Sequence, residues 1–481
     1  MSGELNLDYS LLIPEFWLAA LAALVMALDL FVPRFRKEWL PYLTVAGLLG
    51  ALGVSLGWVD KYSVFASIIY VDNYTTFFRV FFIATAAAIA LASAQFVQER
   101  VRHPGEYYGL IVLSTIGAIY MAASRELLSA YISLELLSFC LYVLVSITRS
   151  DLRSSEGGMK YMLLGAFSSA LFLYGMSLIY GIAGSTYYRD IATALSADAS
   201  GFHFGLIVSL VLIVTGLGFK VAAVPFHMWT PDAYEGAPMP ITAYLSATSK
   251  AAGFAFILRF FAAGLLPVID DWDWMIAGLS AATIVLGNLV ALQQKNIKRL
   301  LAYSSISQVG YMLMGIAALT PVTASAVVLH MTGYVITNVA AFTVIIAWHV
   351  LTGKEEIADF RGMAERAPLL AAVLAGALFS LAGMPLFAGF LTKFVLFQAT
   401  AQEGYLWLAV IGIVMSVVSL YYYLQIIKQL YIVEPEAPGR VIVPLSVNGL
   451  AAGLAIAMMY VGLYPRHLFE LVENATSFLF A

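Results

Sequence analysis

Charge is what this 481-residue chain lacks: Asp, Glu, Lys and Arg make up 11% of it, against roughly 25% in an ordinary soluble domain. With 62% hydrophobic residues, that scarcity excludes a water-soluble globular fold and points to an all-α polytopic membrane protein. The net charge of −4 is small and spread over the loops, which argues against a nucleic-acid partner or a polybasic membrane clamp. Cysteine is nearly missing. A lone thiol, Cys140, cannot close an internal disulfide, ligate an iron–sulfur cluster by itself or build a structural zinc site. It reads as a small core residue, and any redox step belongs to another chain. The connecting stretches carry no phosphate-cradling glycine loop, no nucleophile–His–acid spacing and no metal-ligand spacing, so soluble-enzyme chemistry is excluded as well.

What is present is apolar sequence in lengths that cross a bilayer. At about 20 residues per span, fourteen segments lie near 11–32, 40–58, 75–96, 107–123, 126–147, 158–182, 203–229, 239–265, 273–292, 298–318, 321–350, 367–401, 403–431 and 441–465. The N-terminus, MSGELNLDYS, is acidic and leads into an apolar run with no small-x-small cleavage site, so the first segment reads as a retained helix rather than a signal peptide. Basic residues divide unevenly between the two sides. One side holds Arg34, Arg36, Lys37, Arg100, Arg102, Arg149, Arg153, Lys160, Lys295, Lys298, Arg299, Lys354, Arg361, Arg366, Lys428 and Arg440, the other Lys61, Arg79, Arg125, Arg189 and Arg466. The excess places the first group in the cytoplasm and both termini outside it.

Four basic residues remain inside apolar sequence: Lys220, Lys250, Arg259 and Lys393. Lys220 lies in TGLGFKVAAVPFHMWTPDAYEGAPMP, Thr215 to Pro240, where two glycines precede it and Pro225 follows. The segment therefore breaks beside a charge, and an interrupted helix with a buried ammonium implies a hydrated intramembrane site. The plainer alternative is a lysine snorkelling from a helix end. The twelfth segment repeats the pattern, with Gly389 four residues before Lys393 and Pro385 nearby, as Gly216 stands before Lys220. Segments four to eight and nine to thirteen each form a five-helix unit; five is odd, so the second unit enters the membrane from the opposite side, as an inverted repeat. Arg259, close to the end of segment eight, is expected to reach the far interface.

Other polar residues gather along the same segments. Glu135 sits at the centre of segment five with no lysine in that segment, so it needs a charge from another helix or a proton. Lys220 is the expected partner, a static buried pair being the alternative. Segment eight surrounds Lys250 with Ser246, Thr248 and Ser249. Segment ten adds Tyr303, Ser304, Ser305, Ser307, Gln308 and Tyr311, and segment eleven adds His330, Thr332, Tyr334, Thr337 and Asn338. Glu135, Lys220, Lys250, His330 and Lys393 joined by water would make a lateral proton relay, in which moving one charge loads or unloads the next site. His330 and His227 have an equally ordinary reading as satisfied core or interface histidines.

Three stretches then carry a resemblance. GLGFKVAAVPFHMWTPDAYEGAP, LAYSSISQVGYMLMG and LAGMPLFAGFLTKFVLF resemble the antiporter-like membrane subunits of respiratory complex I, relatives of multisubunit cation/proton antiporters. TRSDLRSSEGGMKYMLLGAFSSALFLYGMSLIYGIAGST resembles subunit N in particular. The resemblance implies two inverted five-helix repeats, broken at segments seven and twelve, with a three-helix segment at 1–106, the repeats at 107–265 and 266–431, and a C-terminal helix and tail at 432–481. It also implies a proton-translocating subunit of NADH:quinone oxidoreductase in a bacterial plasma membrane, packed against other membrane subunits and without a cofactor of its own. Flavin, iron–sulfur clusters and quinone are expected on other subunits. By motif, Glu135 and Lys220 are the pair of segments five and seven, Lys250 the connecting lysine and Lys393 the exit residue, while Lys160 matches a lysine of the subunit N pattern at a helix entrance. A subunit of a cation/proton antiporter is the alternative, and a structural spacer the third reading. About sixteen residues follow Pro465, too few for the long lateral helix of some relatives, and Tyr421 to Tyr423 stand where an acid or base would extend the relay.

Overall fold

In the computed structural model, residues 8–31, 37–197, 203–436 and 439–480 are described; Arg34 and Arg36 of the basic count lie outside them. The chain is helical almost throughout, with one short antiparallel hairpin, Ser63–Phe65 against Ile69–Val71. Helix is what a bilayer demands, because it satisfies every backbone group within the segment. Among the described residues, twelve helical runs are long and apolar enough to span, and Pro368–Ala382 is a shorter apolar helix.

The expected fourteen segments are all represented. Run Met239–Ala291 holds segments eight and nine, and the chain reverses between them. Ala237, before segment eight, accepts a hydrogen bond from Lys298 on one face, whereas Arg259 and Asp273 near the reversal bond Asp72 and Tyr405 on the other. Segment twelve is two helices, Pro368–Ala382 and Ala388–Gln402. Local sequence sets the starts: Asp72, Glu126, Asp151 and Asn296 each accept hydrogen bonds from N–H groups of the first turn they cap. Thr320 and Thr323 close a reciprocal capping box before segment eleven, quieting N–H groups that have no intrahelical partner.

Segment seven extends further than its hydropathy indicates. Helix His203–Val221 ends one residue past Lys220, and a second half-helix, Trp229–Gly236, follows a turn. Its polar face, with Asp232 and Glu235, hid it from a reading by apolar length. At each break one ordinary residue takes a left-handed backbone, Ala222 at φ 66° and Leu386 at φ 79°, a conformation that costs of order 1–3 kcal/mol and collects at functional sites. Close packing accounts for the nearby glycines: a Cβ on Gly218 would stand 2.7 Å from the Phe226 ring, and one on Gly389 would overlap the Ser380 carbonyl.

Beyond Pro465 the chain forms a further helix, Arg466–Ser477. It packs over segments three and eleven through Asn474 to Asn73 at 3.0 Å and Thr476 to Ser325 at 2.6 Å. Leu468, Val472 and Ala475 recur at helical spacing among polar residues, the signature of an amphipathic surface helix.

Candidate functional site

Three clusters of buried polar groups lie along the segments. In the first, Lys220 donates to the Ser138 hydroxyl at 2.9 Å, and Ser138 donates in turn to the Leu134 carbonyl at 2.7 Å. Glu135, half-buried one turn away on the same helix, accepts from Ser169. Glu135 and Lys220 lie close enough to act on each other as charges, with each side chain ending on a hydroxyl rather than in a contact ion pair. Ser138 is three residues from Glu135 on one helix face and stands where the carboxylate was expected.

The second cluster centres on Lys250. A π-helical turn, Leu245–Ser249, precedes it, an irregularity that frequently accompanies functional sites. The ammonium donates to Ser305 at 2.5 Å and lies 5.6 Å from the centre of the Tyr234 ring. Asn338 and Tyr334 of segment eleven bond the Ser246 hydroxyl and carbonyl at 2.5 and 3.1 Å. Around this cluster Thr230, Tyr234, Thr248 and Ser249 bury hydroxyls that make no close, well-aligned hydrogen bond among the described residues, and buried groups of that kind are ordinarily satisfied by water.

In the third cluster, His330 lies between Thr392 at 3.0 Å and Gln308 at 3.1 Å. The Nε2–H tautomer suits both, donating to the Gln308 carbonyl oxygen and accepting from the Thr392 hydroxyl. Lys393 donates to the Leu381 carbonyl at 2.6 Å and to Ser416 at 3.1 Å, and the Gln308 amide reaches the same Leu381 carbonyl at 3.4 Å. Lys393 thus bridges the break in segment twelve, holding a carbonyl at the C-terminal end of the first half-helix, where a cation is favoured.

The two breaks are not alike. Lys220 closes the half-helix before its break, while Lys393 lies in the half-helix after its own. In segment seven the freed carbonyls are taken by protein: Gly218 accepts from the Ala223 N–H at 2.7 Å and Phe219 from the Trp229 indole at 2.9 Å.

The remaining expected residues fall elsewhere. His227 is buried in the segment-seven turn with Nδ1 unpartnered. Lys160 is exposed at the basic face, paired with Glu156 at 2.8 Å and Asp232 at 3.0 Å, so it stands apart from the buried lysines. Arg259 does not snorkel: it is 2% exposed and grips Asp72 through two bonds of 2.8 and 2.9 Å. Arg79, counted with the loops, pairs inside the protein with Glu15 at 2.7 Å. Of the consecutive tyrosines Tyr421 to Tyr423, Tyr421 is exposed, while Tyr423 bonds Ser304 at 2.5 Å and Tyr422 bonds Asn288 at 3.1 Å. Sequence reasoning passed over Ser138, Ser169, Asn288 and Ser416. Serine and asparagine are too common for their positions alone to signal a partner.

Fold and site together define a class: polytopic helical membrane proteins with two interrupted segments and a buried lysine beside each interruption. Residues 124–419 match the family described as NADH:quinone oxidoreductase/Mrp antiporter, TM. The chain is 42% identical over 472 residues to NADH-quinone oxidoreductase subunit N of Moorella thermoacetica, covering 97% of this chain and 98% of that one. It is 38% identical over 428 residues to NAD(P)H-quinone oxidoreductase subunit 2 of Picosynechococcus sp., covering 88% and 81%. Among solved structures, a chain of respiratory complex I from Thermus thermophilus with bound Aureothin matches with TM-score 0.80 at 31% identity, over 96% of this chain and all of that one. A chain of the Mrp complex from Dietzia sp. DQ12-45-1b shares the fold, with TM-score 0.86 at 22% identity over 98% of each. The chain belongs to the family of antiporter-like membrane subunits of NADH:quinone oxidoreductase, on its subunit N branch.

Proposed function

We propose that this chain is a proton-translocating membrane subunit of an NADH:quinone oxidoreductase, driven by redox chemistry on other subunits. The observation that carries the reading is the setting of three buried lysines, Lys220, Lys250 and Lys393, whose ammonium groups end on hydroxyl or carbonyl oxygens. An ammonium held by neutral oxygens has no contact charge to lock its proton in place, and burial lowers the cost of release. Glu135 with Ser169 forms one end of the path. Lys220, Lys250 and the Gln308–His330–Thr392 group follow, and Lys393 forms the other end, with water at the unpartnered hydroxyls. Among the described residues Lys160 and His227 make no hydrogen bond to this path, and they take supporting positions. A single cysteine supports the placement of flavin, clusters and quinone on partner subunits. The antiporter alternative rests on likeness of fold, whereas the relatives at 38–42% identity bear quinone oxidoreductase names.

The inverted-repeat division at 107–265 and 266–431 is part of the proposal, supported by a break in the fourth segment of each unit. Glu135→Gln is expected to leave the complex assembled and to cut redox-coupled proton uptake by about 10²-fold, the low end for a lost positioned proton-transfer group; Glu135→Asp should be milder. Wild-type rates and stoichiometry in Glu135→Gln would remove Glu135 from the path.

The basic excess supports a bacterial plasma-membrane orientation with both termini outside the cytoplasm. An epitope in the 353–366 connection should be reached only from the cytoplasmic side of intact vesicles, and one after Arg466 only from the opposite side. Access to both from one side would overturn the orientation and the even number of crossings.

A further inference from the structure

A groove of about 410 Å³ opens between segments two, three, eleven and fourteen, beneath the helix Arg466–Ser477. Its long wall is a stripe of segment three, with Phe77, Phe81, Ala84 and Ala88 at helical spacing, opposite Val335 and Val339 of segment eleven. From Thr76 to Ala88 the stripe rises roughly 18 Å at 1.5 Å per residue, about the depth of one leaflet in a hydrocarbon core of about 30 Å. The few polar groups in the wall are already occupied. Thr85 donates to Phe81 and Thr332 to Val328, each at 2.8 Å within its own helix, and Thr76 donates to Trp58 at 3.4 Å. Asn73 and Asn474 bond each other at the mouth, and Asn73 also holds both the backbone and the carboxylate of Asp60.

With the hydroxyl donors of Thr76, Thr85 and Thr332 spent on backbone carbonyls and the rest of the wall between them apolar, the groove offers a polar ligand little to hold. The occupant is therefore apolar and extended along the depth of one leaflet. We propose that the groove holds one acyl chain of a phospholipid from the leaflet beside Asn73, with its headgroup outside the mouth made by Asn73 and Asn474. The chain packs on the back of segment eleven, the helix that carries His330, and wedges the helix Arg466–Ser477 in place. This site stands or falls independently of the proton path.

The test uses the assembled complex in vesicles of phosphatidylglycerol bearing a diazirine in mid-chain. Photolabelling is expected on peptides spanning residues 77–88 and 335–339. Ala84→Trp overfills the groove and is expected to reduce that labelling about fivefold while redox-coupled pumping is retained; Val339→Phe serves the same purpose if Ala84→Trp does not assemble. Undiminished labelling in the filled variants would overturn the site. So would absence of label in the wild type because a neighbouring subunit covers the groove, or displacement of the label by a quinone.

Discussion

Replacing Lys220 by arginine should abolish proton translocation while leaving the complex assembled. Arginine keeps the positive charge and the donors, so Ser138 retains a partner, but its pKa above 12 prevents the release of a proton at any working pH. The side chain is tightly placed. A Cβ on Gly253 of segment eight would meet the Lys220 Cγ at 3.6 Å, so Lys220→Met, shorter and uncharged, is the companion variant that separates charge from bulk. Both are expected to cut coupled proton uptake about 10²-fold, the low end for removing a positioned acid–base group. Lys393→Arg gives the sharper comparison, because Lys393 has a second role as the cap on the Leu381 carbonyl. Arginine can supply that cap. If Lys393 only plugs the broken helix, Lys393→Arg will pump nearly as well as wild type; if it passes a proton, the variant will assemble and fail. The measurement is quinone-reductase activity with proton uptake in vesicles. Full pumping by both arginine variants would refute the path through these lysines, with fold and family untouched.

Removing Arg259 should instead destroy stability. Its guanidinium is buried and bidentate to Asp72, and it lies 4.7 Å from the Tyr74 ring. Asp72 also accepts from the Thr75 N–H at 2.7 Å, capping segment three. Arg259→Met leaves a carboxylate buried without its cation, a loss of about 3–5 kcal/mol, which is expected to deplete the subunit from the membrane and lower the melting temperature of purified complex. The double variant Asp72→Asn/Arg259→Met should be milder, since no uncompensated charge remains and asparagine still caps. A double variant as unstable as Arg259→Met would show that the packing of the arginine stem, and not its charge, was the larger contribution.

These two sites also show how unevenly the molecule can be read. Lys220, Lys250 and Lys393 announce themselves, because an ammonium within an apolar run is costly wherever the helix is placed. Arg259 announced itself equally and was misjudged as a snorkelling end. Asp72, its partner, lies 187 residues away, in a stretch that reads as an ordinary loop and cap. Glu135 was read as needing a charge from another helix; Ser169 and Ser138 supply the nearest contacts around the Glu135–Lys220 position, and hydroxyls carry no hydropathy signal strong enough to mark them. The break in segment seven was legible, but its second half-helix runs on to Gly236, past the expected end at 229, because Asp232 and Glu235 end the apolar run before the helix ends.

By itself the sequence determined the bilayer as solvent, the helical crossings, the interruptions beside Pro225 and Pro385, and which residues carry buried charge. Each follows from a local quantity: mean hydropathy over about 20 residues, the N–H that proline lacks, or the cost of an ion in hydrocarbon. Tertiary structure alone decided which oxygen each ammonium meets, that Lys393 caps a carbonyl while Lys220 does not, and that Arg259 is clamped and not free. Those outcomes depend on how each helix is rotated about its axis and which neighbour it packs against. Contacts such as Lys220 to Ser138, 82 residues apart, are therefore set by the packing of whole faces rather than by any nearby stretch of sequence.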